Sequence, residues 1–192
     1  MSSNNTKPTR DKRANYAKIL SKDESDLIWH FLQEKFGINP EKYKYSFRFA
    51  QNRRGRLWLA SNLALEFVKK ERFDPAKVFT CVIGKSDSRK LLEDTEMHIR
   101  LTIDGALFFN SDITKNILQI SEEEEKHWCE GEVIDKTNLS IPNDVYVLAK
   151  ESTNQIIGST IAKNGFLLNF VPKWRRPDRL ADPNAVYEEP EN

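Results

Sequence analysis

Residues 155–176 read QIIGSTIAKNGFLLNFVPKWRR, and this stretch predicts a β-hairpin. Two short apolar runs, at 156–157 and 166–168, flank Asn164 and Gly165. Glycine readily takes the positive φ that a tight hairpin turn requires, so we expect the turn at this dipeptide. Pro172 should then end the second strand, because proline has no amide hydrogen to donate to a neighbouring strand.

The four residues after Pro172 combine one aromatic ring with three cations: Lys173, Trp174, Arg175 and Arg176. Cations attract phosphates, and an exposed aromatic side chain offers a face on which a nucleic-acid base stacks. The same residues are equally compatible with a solvated, charged segment that simply follows the last strand of a small barrel. Taken alone, they leave both interpretations open.

Five short segments, the last of them in the first strand of this hairpin, follow one another in a regular order: residues 101–106, 115–120, 130–134, 145–149 and 156–159. Their order and spacing over about residues 95–172 resemble the PUA domain, a small RNA-binding β-barrel. The step Gly131-Glu132-Val133 is similar to the Gly-Asp-Val motif of that family. The Ile-Ile-Gly step at 156–158 resembles the family's strand-then-glycine element before the last hairpin.

The whole chain is similar to two-domain archaeal and eukaryotic proteins in which an α/β pre-PUA domain precedes the PUA barrel. Among such proteins, the chain resembles the Nip-seven type of ribosome assembly factor. This resemblance implies contacts to RNA through cationic and backbone groups that read the shape of duplex and loop junctions. The C-terminal tail and the hairpin tip at 53–56 depart from that type, so the resemblance does not identify the pathway in which the protein acts.

The predicted fold class is therefore α+β, with an α/β pre-PUA-like domain followed by a small PUA-like mixed β-barrel. We expect four segments: a flexible basic arm at 1–20, the first domain at 21–92, the barrel at 93–176 and an acidic, disordered tail at 177–192. The boundary is placed in the polar stretch 85–95.

Local patterns predict the elements of the first domain. Ser21 and Glu24 form a capping-box pattern, and apolar residues at helical spacing then predict a helix over 22–36 that ends at Gly37. Alternation predicts a half-buried strand at 44–50, a turn at 52–55 and a returning strand at 56–60. Ser61 should cap a helix of about ten residues, and 78–83 reads as a buried strand.

Patterns in the second half are shorter. Alternating apolar residues predict a strand at 97–103, which a helical turn at 104–109 should follow. Ser121 and the four carboxylates at 122–125 predict a short helix, since negative charge stabilises the positive N-terminus of a helix. Trp29 and Trp128 are assigned to the core.

Composition predicts a soluble globular protein in a reducing compartment. The chain has 192 residues, 39% of them hydrophobic, and two cysteines, too few for a disulfide framework. No apolar run approaches the roughly 20 residues of a membrane span, and the N-terminus has no apolar signal region. These features exclude a membrane partner from the prediction and favour the cytoplasm, or the nucleolus and nucleus in a eukaryote.

Charge is distributed unevenly although the net value is only +1. Residues 1–92 hold 20 Lys and Arg against 10 Asp and Glu, a balance of +10, whereas residues 93–192 hold 10 against 19, a balance of −9. Such asymmetry indicates that the basic half of the chain, residues 1–92, lies against a polyanion. The alternative is that the acidic residues simply lie on outer faces and in the tail.

The parts of a common active site are missing from the sequence. His127 and Cys129 lack the paired spacing of a zinc site, so we predict no metal and no cofactor. The P-loop motif ends in Gly-Lys-Ser, as residues 84–86 do, but Phe79 stands where the first glycine of this motif should be. No Gly-x-Gly-x-x-Gly or Gly-x-Ser-x-Gly motif occurs, so we predict a protein that is not an enzyme.

The candidate RNA-binding residues fall into two groups. In the first domain they are Arg53, Arg54, Arg56, Lys85, Arg89 and Lys90. In the barrel they are Lys115, Lys173, Trp174, Arg175 and Arg176. The resemblance implies that Lys115 lies on the RNA face, although an ordinary exposed lysine fits equally well.

The predicted function is binding of structured ribosomal RNA during subunit assembly, with ribosome assembly proteins as further partners. One alternative is a guide subunit of an RNA-modifying enzyme, a methyltransferase or pseudouridine synthase. Another is a protein–protein adaptor that does not bind RNA, whose charges form only a solvated surface.

Overall fold

A computed structural model describes residues 18–51, 56–71, 80–83 and 100–177. Several predictions fall outside these residues: most of the basic arm, the hairpin tip at 52–55, the domain boundary and the acidic tail. The candidate residues Arg53, Arg54, Lys85, Arg89 and Lys90 also lie there.

The described residues form a mixed α+β fold with four helices and two sheets. The helices are α1 (Lys22–Phe36), α2 (Asn62–Glu71), α3 (Ile103–Phe108) and α4 (Glu122–Glu130). The first sheet is antiparallel and contains β1 (Lys18–Ile19), β2 (Phe47–Gln51), β3 (Leu57–Ser61) and β4 (Thr80–Ile83), in that order. An isolated antiparallel bridge joins Ile83 to Leu101.

The second sheet is a curled half-barrel of five strands. Its strands are β5 (Ile117–Ile120), β6 (Ile134–Asp135), β7 (Asp144–Lys150), β8 (Ile156–Lys163) and β9 (Phe166–Leu168). Their order is β5-β7-β8-β9-β6, so β5 and β6 form its two edges. The β5–β7 pair is parallel and the other pairs are antiparallel, which confirms a mixed sheet; among the described residues, backbone pairing does not close this sheet into a full barrel.

The predicted helix caps are confirmed. Ser21 and Glu24 form the capping box of α1, and Gly37 ends this helix with a φ of 74°. Ser61 Oγ accepts from the Ala64 amide at the start of the ten-residue α2. Ser121 and Glu124 form a second capping box at α4. These signals act within one turn of chain, which is why the sequence alone identified them.

The predicted hairpin is also confirmed. β8 and β9 are antiparallel and joined by Asn164 (φ 52°) and Gly165 (φ 82°). Two successive residues with positive φ match the right-handed twist of the flanking strands. The chain turns away from the sheet after Leu168, four residues before Pro172.

Two predicted strands are wrong in their bounds. Residues 43–46 form a turn, and β2 begins only at Phe47 instead of at residue 44. Ile103 is the first residue of α3, because the Thr102 side chain accepts from the Gly105 amide and starts the helix there. Residues 97–99 lie outside the described part of the chain, and Leu101 contributes a single bridge.

One hydrophobic cluster contains residues from both halves of the chain. Trp29 and Phe49 of the first half pack in the same cluster as Val145, Val147 and Ala149 of β7. The alternate residues of β7, Tyr146 and Leu148, belong to a second cluster with Trp128 of α4. Both faces of β7 are therefore buried.

The core assignments of Trp29 and Trp128 are confirmed, since the two side chains are 2% and 3% exposed. Gly158 on β8 faces Trp128, and a Cβ atom at this glycine would overlap the indole ring. The described helices include none that combines the length and apolar character needed to cross a lipid bilayer.

Candidate nucleic-acid interface

The segment after β9 is held against the C-terminal end of α4. Asn169 Nδ2 donates to the carbonyl oxygens of Trp128 (2.6 Å) and Glu132 (2.9 Å). Its Oδ1 accepts from the Val171 amide at 2.8 Å. A single 3₁₀ turn, Lys173–Arg175, follows Pro172. One asparagine thus fixes the direction in which the cationic segment leaves the sheet.

Arg175 connects this segment to α3. Its Nη2 lies 2.8 Å from Asp104 Oδ1, and its guanidinium lies over the Trp174 ring, 4.6 Å from the centroid. A guanidinium that stacks on an indole and pairs with a carboxylate has little freedom to rotate. The pair therefore orients the Trp174 ring beside the N-terminal turn of α3.

Whereas Arg175 pairs with α3, Arg176 packs against the turn after α4. Its Nε and Nη2 donate to the Val171 carbonyl at 3.4 and 3.3 Å. Gly131, with a φ of 93°, leaves the space that the guanidinium occupies, since a Cβ there would overlap it. Their position after a strand-ending proline predicts that Arg175 and Arg176 are exposed; this is wrong, because both are only partly exposed and bind groups of the protein itself.

Lys173 and Trp174 are the more accessible residues of the segment. Trp174 is 49% exposed, and the Lys173 side chain is exposed as well. About half of the indole surface is therefore free to contact a ligand, while the other half packs on the protein. This arrangement suits a stacking platform, because the ring is held in place and one part of it stays uncovered.

The surface of α3 continues from this platform. Asp104, Leu107 and Phe108 are three and four residues apart, so they share one side of the helix. Leu107 is 47% exposed and Phe108 is 41% exposed. Beyond them, the Phe108 ring meets Tyr43 and Phe47 of the first half, both at centroid distances of 5.8 Å.

We call the surface formed by Trp174, Arg175, Leu107, Phe108 and Tyr43 the aromatic strip. Cations lie at both of its ends: Lys173 and Arg175 at one, and Lys42 beside Tyr43 at the other. Exposed aromatic rings between cations are the combination that single-stranded and looped nucleic acids recognise. Sequence reasoning missed Leu107 and Phe108, because only the packing of α3 decides which of its side chains remain outside.

Asp112 holds the Tyr43 end of the strip in place. Asp112 is 9% exposed, and its carboxylate accepts hydrogen bonds from Lys42 Nζ and the Tyr43 hydroxyl. The hydrogen bond from Lys42, followed by that from Tyr43, lowers the pKa of Asp112 from its ordinary value. Burial, followed by the bond to Asp112, raises the pKa of Tyr43 to about 12. At neutral pH the carboxylate is therefore ionised and the phenol carries its proton.

The remaining described candidates lie apart from the strip. Lys115 is exposed, and its Nζ donates to the Glu34 carbonyl at 3.3 Å near the end of α1. A cation there also compensates the partial negative charge of the helix C-terminus. Arg56 is exposed directly before β3. Two further exposed groups of the first half are Tyr45, 72% exposed with Lys44 over its ring, and Arg48 on β2.

The fold also gathers three potential metal ligands that sequence spacing did not indicate. The ligand atoms of His127, Glu130 and Glu132 lie within 4.8 Å of one another. His127 Nδ1 and Glu132 Oε2 are 2.7 Å apart, so an exposed imidazole–carboxylate contact accounts for much of this geometry. Gly131 lies between Glu130 and Glu132 in sequence, and the Arg176 guanidinium packs against it. The positive charge of this guanidinium disfavours the binding of a metal cation nearby.

No family model matches the chain, and no curated protein matches it at a significant level.

Proposed function

We propose that the protein binds RNA, and that its second half is a PUA-like module that contacts structured ribosomal RNA during ribosome biogenesis. The observation that carries this proposal is the half-exposed Trp174 ring, which Arg175 and Asp104 orient at one end of the aromatic strip. The selection of ribosomal RNA rests on the sequence resemblance to PUA-containing assembly factors.

The chemistry of the strip is that of a binding surface. Its rings offer stacking faces, and Lys173 and Lys42 offer charge for phosphates on either side. A looped or junction RNA presents both unstacked bases and a curved backbone, so it fits such a surface better than a continuous duplex does. In this proposal the protein has no catalytic step, acts in the cytoplasm or nucleolus, and delivers or stabilises an RNA conformation.

A filter-binding titration against a ribosomal RNA fragment with stems and loops tests this proposal. If about six phosphates are contacted, the logarithm of the binding constant should fall with the logarithm of salt at a slope of about −4 to −5. Absence of measurable affinity for such RNA at low salt would refute RNA binding and favour the protein–protein adaptor. Stable co-purification with a methyltransferase or a pseudouridine synthase would instead favour the guide subunit.

A further inference from the structure

A concave site separate from the aromatic strip lies at the edge of the half-barrel. It is an open cavity of about 550 Å³ between the connection from α3 to β5, strand β5 itself and the turn from β7 to β8. Ile113, Ile117 and Ile156 line its apolar wall. Its volume is within the range of small-molecule pockets, about 300–1,000 Å³.

Three side-chain amides provide the polar part of the cavity: Asn110, Gln119 and Asn154. Gln119 Nε2 donates to Asn154 Oδ1 at 2.5 Å, so two of the amides are held side by side. This bond leaves Gln119 Oε1 as an acceptor and the Asn154 amide hydrogens as donors. A ligand that enters therefore meets a donor and an acceptor next to each other.

The lining determines which chemical class fits. All eight lining residues are uncharged, so the cavity offers no cation for a phosphate or carboxylate and no anion for an amine. A nucleobase is flat, largely apolar on its faces, and carries adjacent donors and acceptors along its edge. Unpaired bases in RNA are recognised in this manner, by contact with their faces and hydrogen bonds to their edges.

We propose that this cavity receives one unpaired base of the bound RNA, an inference that rests on the proposed RNA-binding function. The base lies against Ile117 and pairs its edge with the amides of Gln119 and Asn154. Lys115 is exposed two residues before Ile117; its ammonium group donates to the Glu34 carbonyl, and its remaining hydrogens can bind a phosphate of the same strand. The cavity thus reads an extruded base, while the aromatic strip contacts other parts of the RNA.

The backbone of Asn154 permits a clean substitution. Asn154 has a φ of 56°, in the left-handed region that glycine adopts without strain. Asn154→Gly therefore removes the amide and keeps the turn. Asn164→Gly is the matched control, because Asn164 has a φ of 52° in the distant β8–β9 turn and is not part of the cavity lining. Gln119→Leu is a second variant that removes the other amide at similar volume.

The experiment compares two RNA duplexes by fluorescence anisotropy at constant salt: one with a single bulged nucleotide and one fully paired. We expect Asn154→Gly and Gln119→Leu to bind the bulged duplex about 10-fold more weakly, since each variant lacks an amide that hydrogen-bonds the edge of the bulged base. Their affinity for the paired duplex should stay unchanged. Asn164→Gly should bind both duplexes as the unmodified protein does.

The outcomes separate this inference from the proposed function. If the unmodified protein binds neither duplex, both RNA binding and the base cavity are refuted. If it binds them and the two cavity variants bind the bulged duplex normally, RNA binding stands and the base cavity is refuted. An equal loss for both duplexes also refutes it, because the amides would then support binding in general and not the reading of a base.

Discussion

Replacing Trp174 by alanine removes a side chain that contributes both to folding and, in our proposal, to RNA binding, and the two contributions can be measured separately. Trp174 is 49% exposed, so about half of its surface is buried. A tryptophan buries up to about 200 Å², so the buried half amounts to about 100 Å² here. At about 25 cal/mol per Å², that burial stabilises the fold by at most about 2.5 kcal/mol.

Partial burial in the unfolded chain reduces this value to about 1.5–2 kcal/mol, and removal of the ring from beneath the Arg175 guanidinium adds about 0.5–1 kcal/mol. The cost is therefore below the 3–5 kcal/mol expected for a fully buried tryptophan. A protein of this size should melt about 4–12 °C lower, as differential scanning calorimetry would show. RNA affinity, measured well below the melting transition, should fall by about 1–3 kcal/mol, the value of one stacked base.

Leu139→Ala is the control for the loss of exposed apolar surface. Leu139 is also 49% exposed and lies on the connection from β6 to β7, outside the aromatic strip. This variant should lose some stability and no RNA affinity. A folded Trp174→Ala protein that binds RNA as tightly as the unmodified chain would show that the ring is not a stacking platform.

Three further predictions address the surrounding structure. The double change Arg175→Ala and Arg176→Ala should lower the melting temperature, because both guanidinium groups bind the protein itself. In a filter-binding salt titration, the slope should be reduced by about 0.7–0.9 for each phosphate that the variant no longer binds. An unchanged melting temperature would contradict the contacts to Asp104 and Val171. The folded protein holds the pKa of Asp112 below its ordinary value of 3.8, so the stability that this carboxylate contributes is present above pH 3.8 and is lost as the pH falls through the folded pKa. The Asp112→Asn variant should therefore lose less stability on acidification than the unmodified protein, as measured by urea denaturation. Parallel acid profiles of the two proteins would argue against this assignment. Gly158→Ala should destabilise the fold by about 1–3 kcal/mol in urea, because its Cβ would overlap Trp128, and a neutral result would place the indole elsewhere.

Features that depend on neighbours in sequence were predictable. Capping at Ser21 and Ser121 and the turn at Asn164 and Gly165 each involve residues within a few positions, so the sequence contains all of the interacting groups. The alternation at 97–103 was misleading, since Thr102 starts a helix by a local hydrogen bond that apolar periodicity does not reveal. Similarly, the turn at 43–46 replaces the beginning of a predicted strand, and Tyr43 there binds Asp112, a residue 69 positions away.

The candidate site was predictable only in part. Pro172 and the cluster of aromatic and cationic residues drew attention to the segment 172–176, in which Trp174 is accessible as a stacking residue must be. The engagement of Arg175 with Asp104 joins residues 71 positions apart, so no local pattern indicates it. The exposure of Phe108 and the amide pair of Gln119 and Asn154 likewise arise from the way distant segments pack.

Strand β7 has a consequence for how the molecule unfolds. Its alternate side chains enter the two hydrophobic clusters, and it pairs with β5 on one side and β8 on the other. Loss of this strand would expose apolar surface in both clusters at once, so opening either one alone is costly. We therefore expect heat and urea to unfold the described parts of both halves in a single cooperative transition, with slow amide hydrogen exchange centred on Val147 and Leu148.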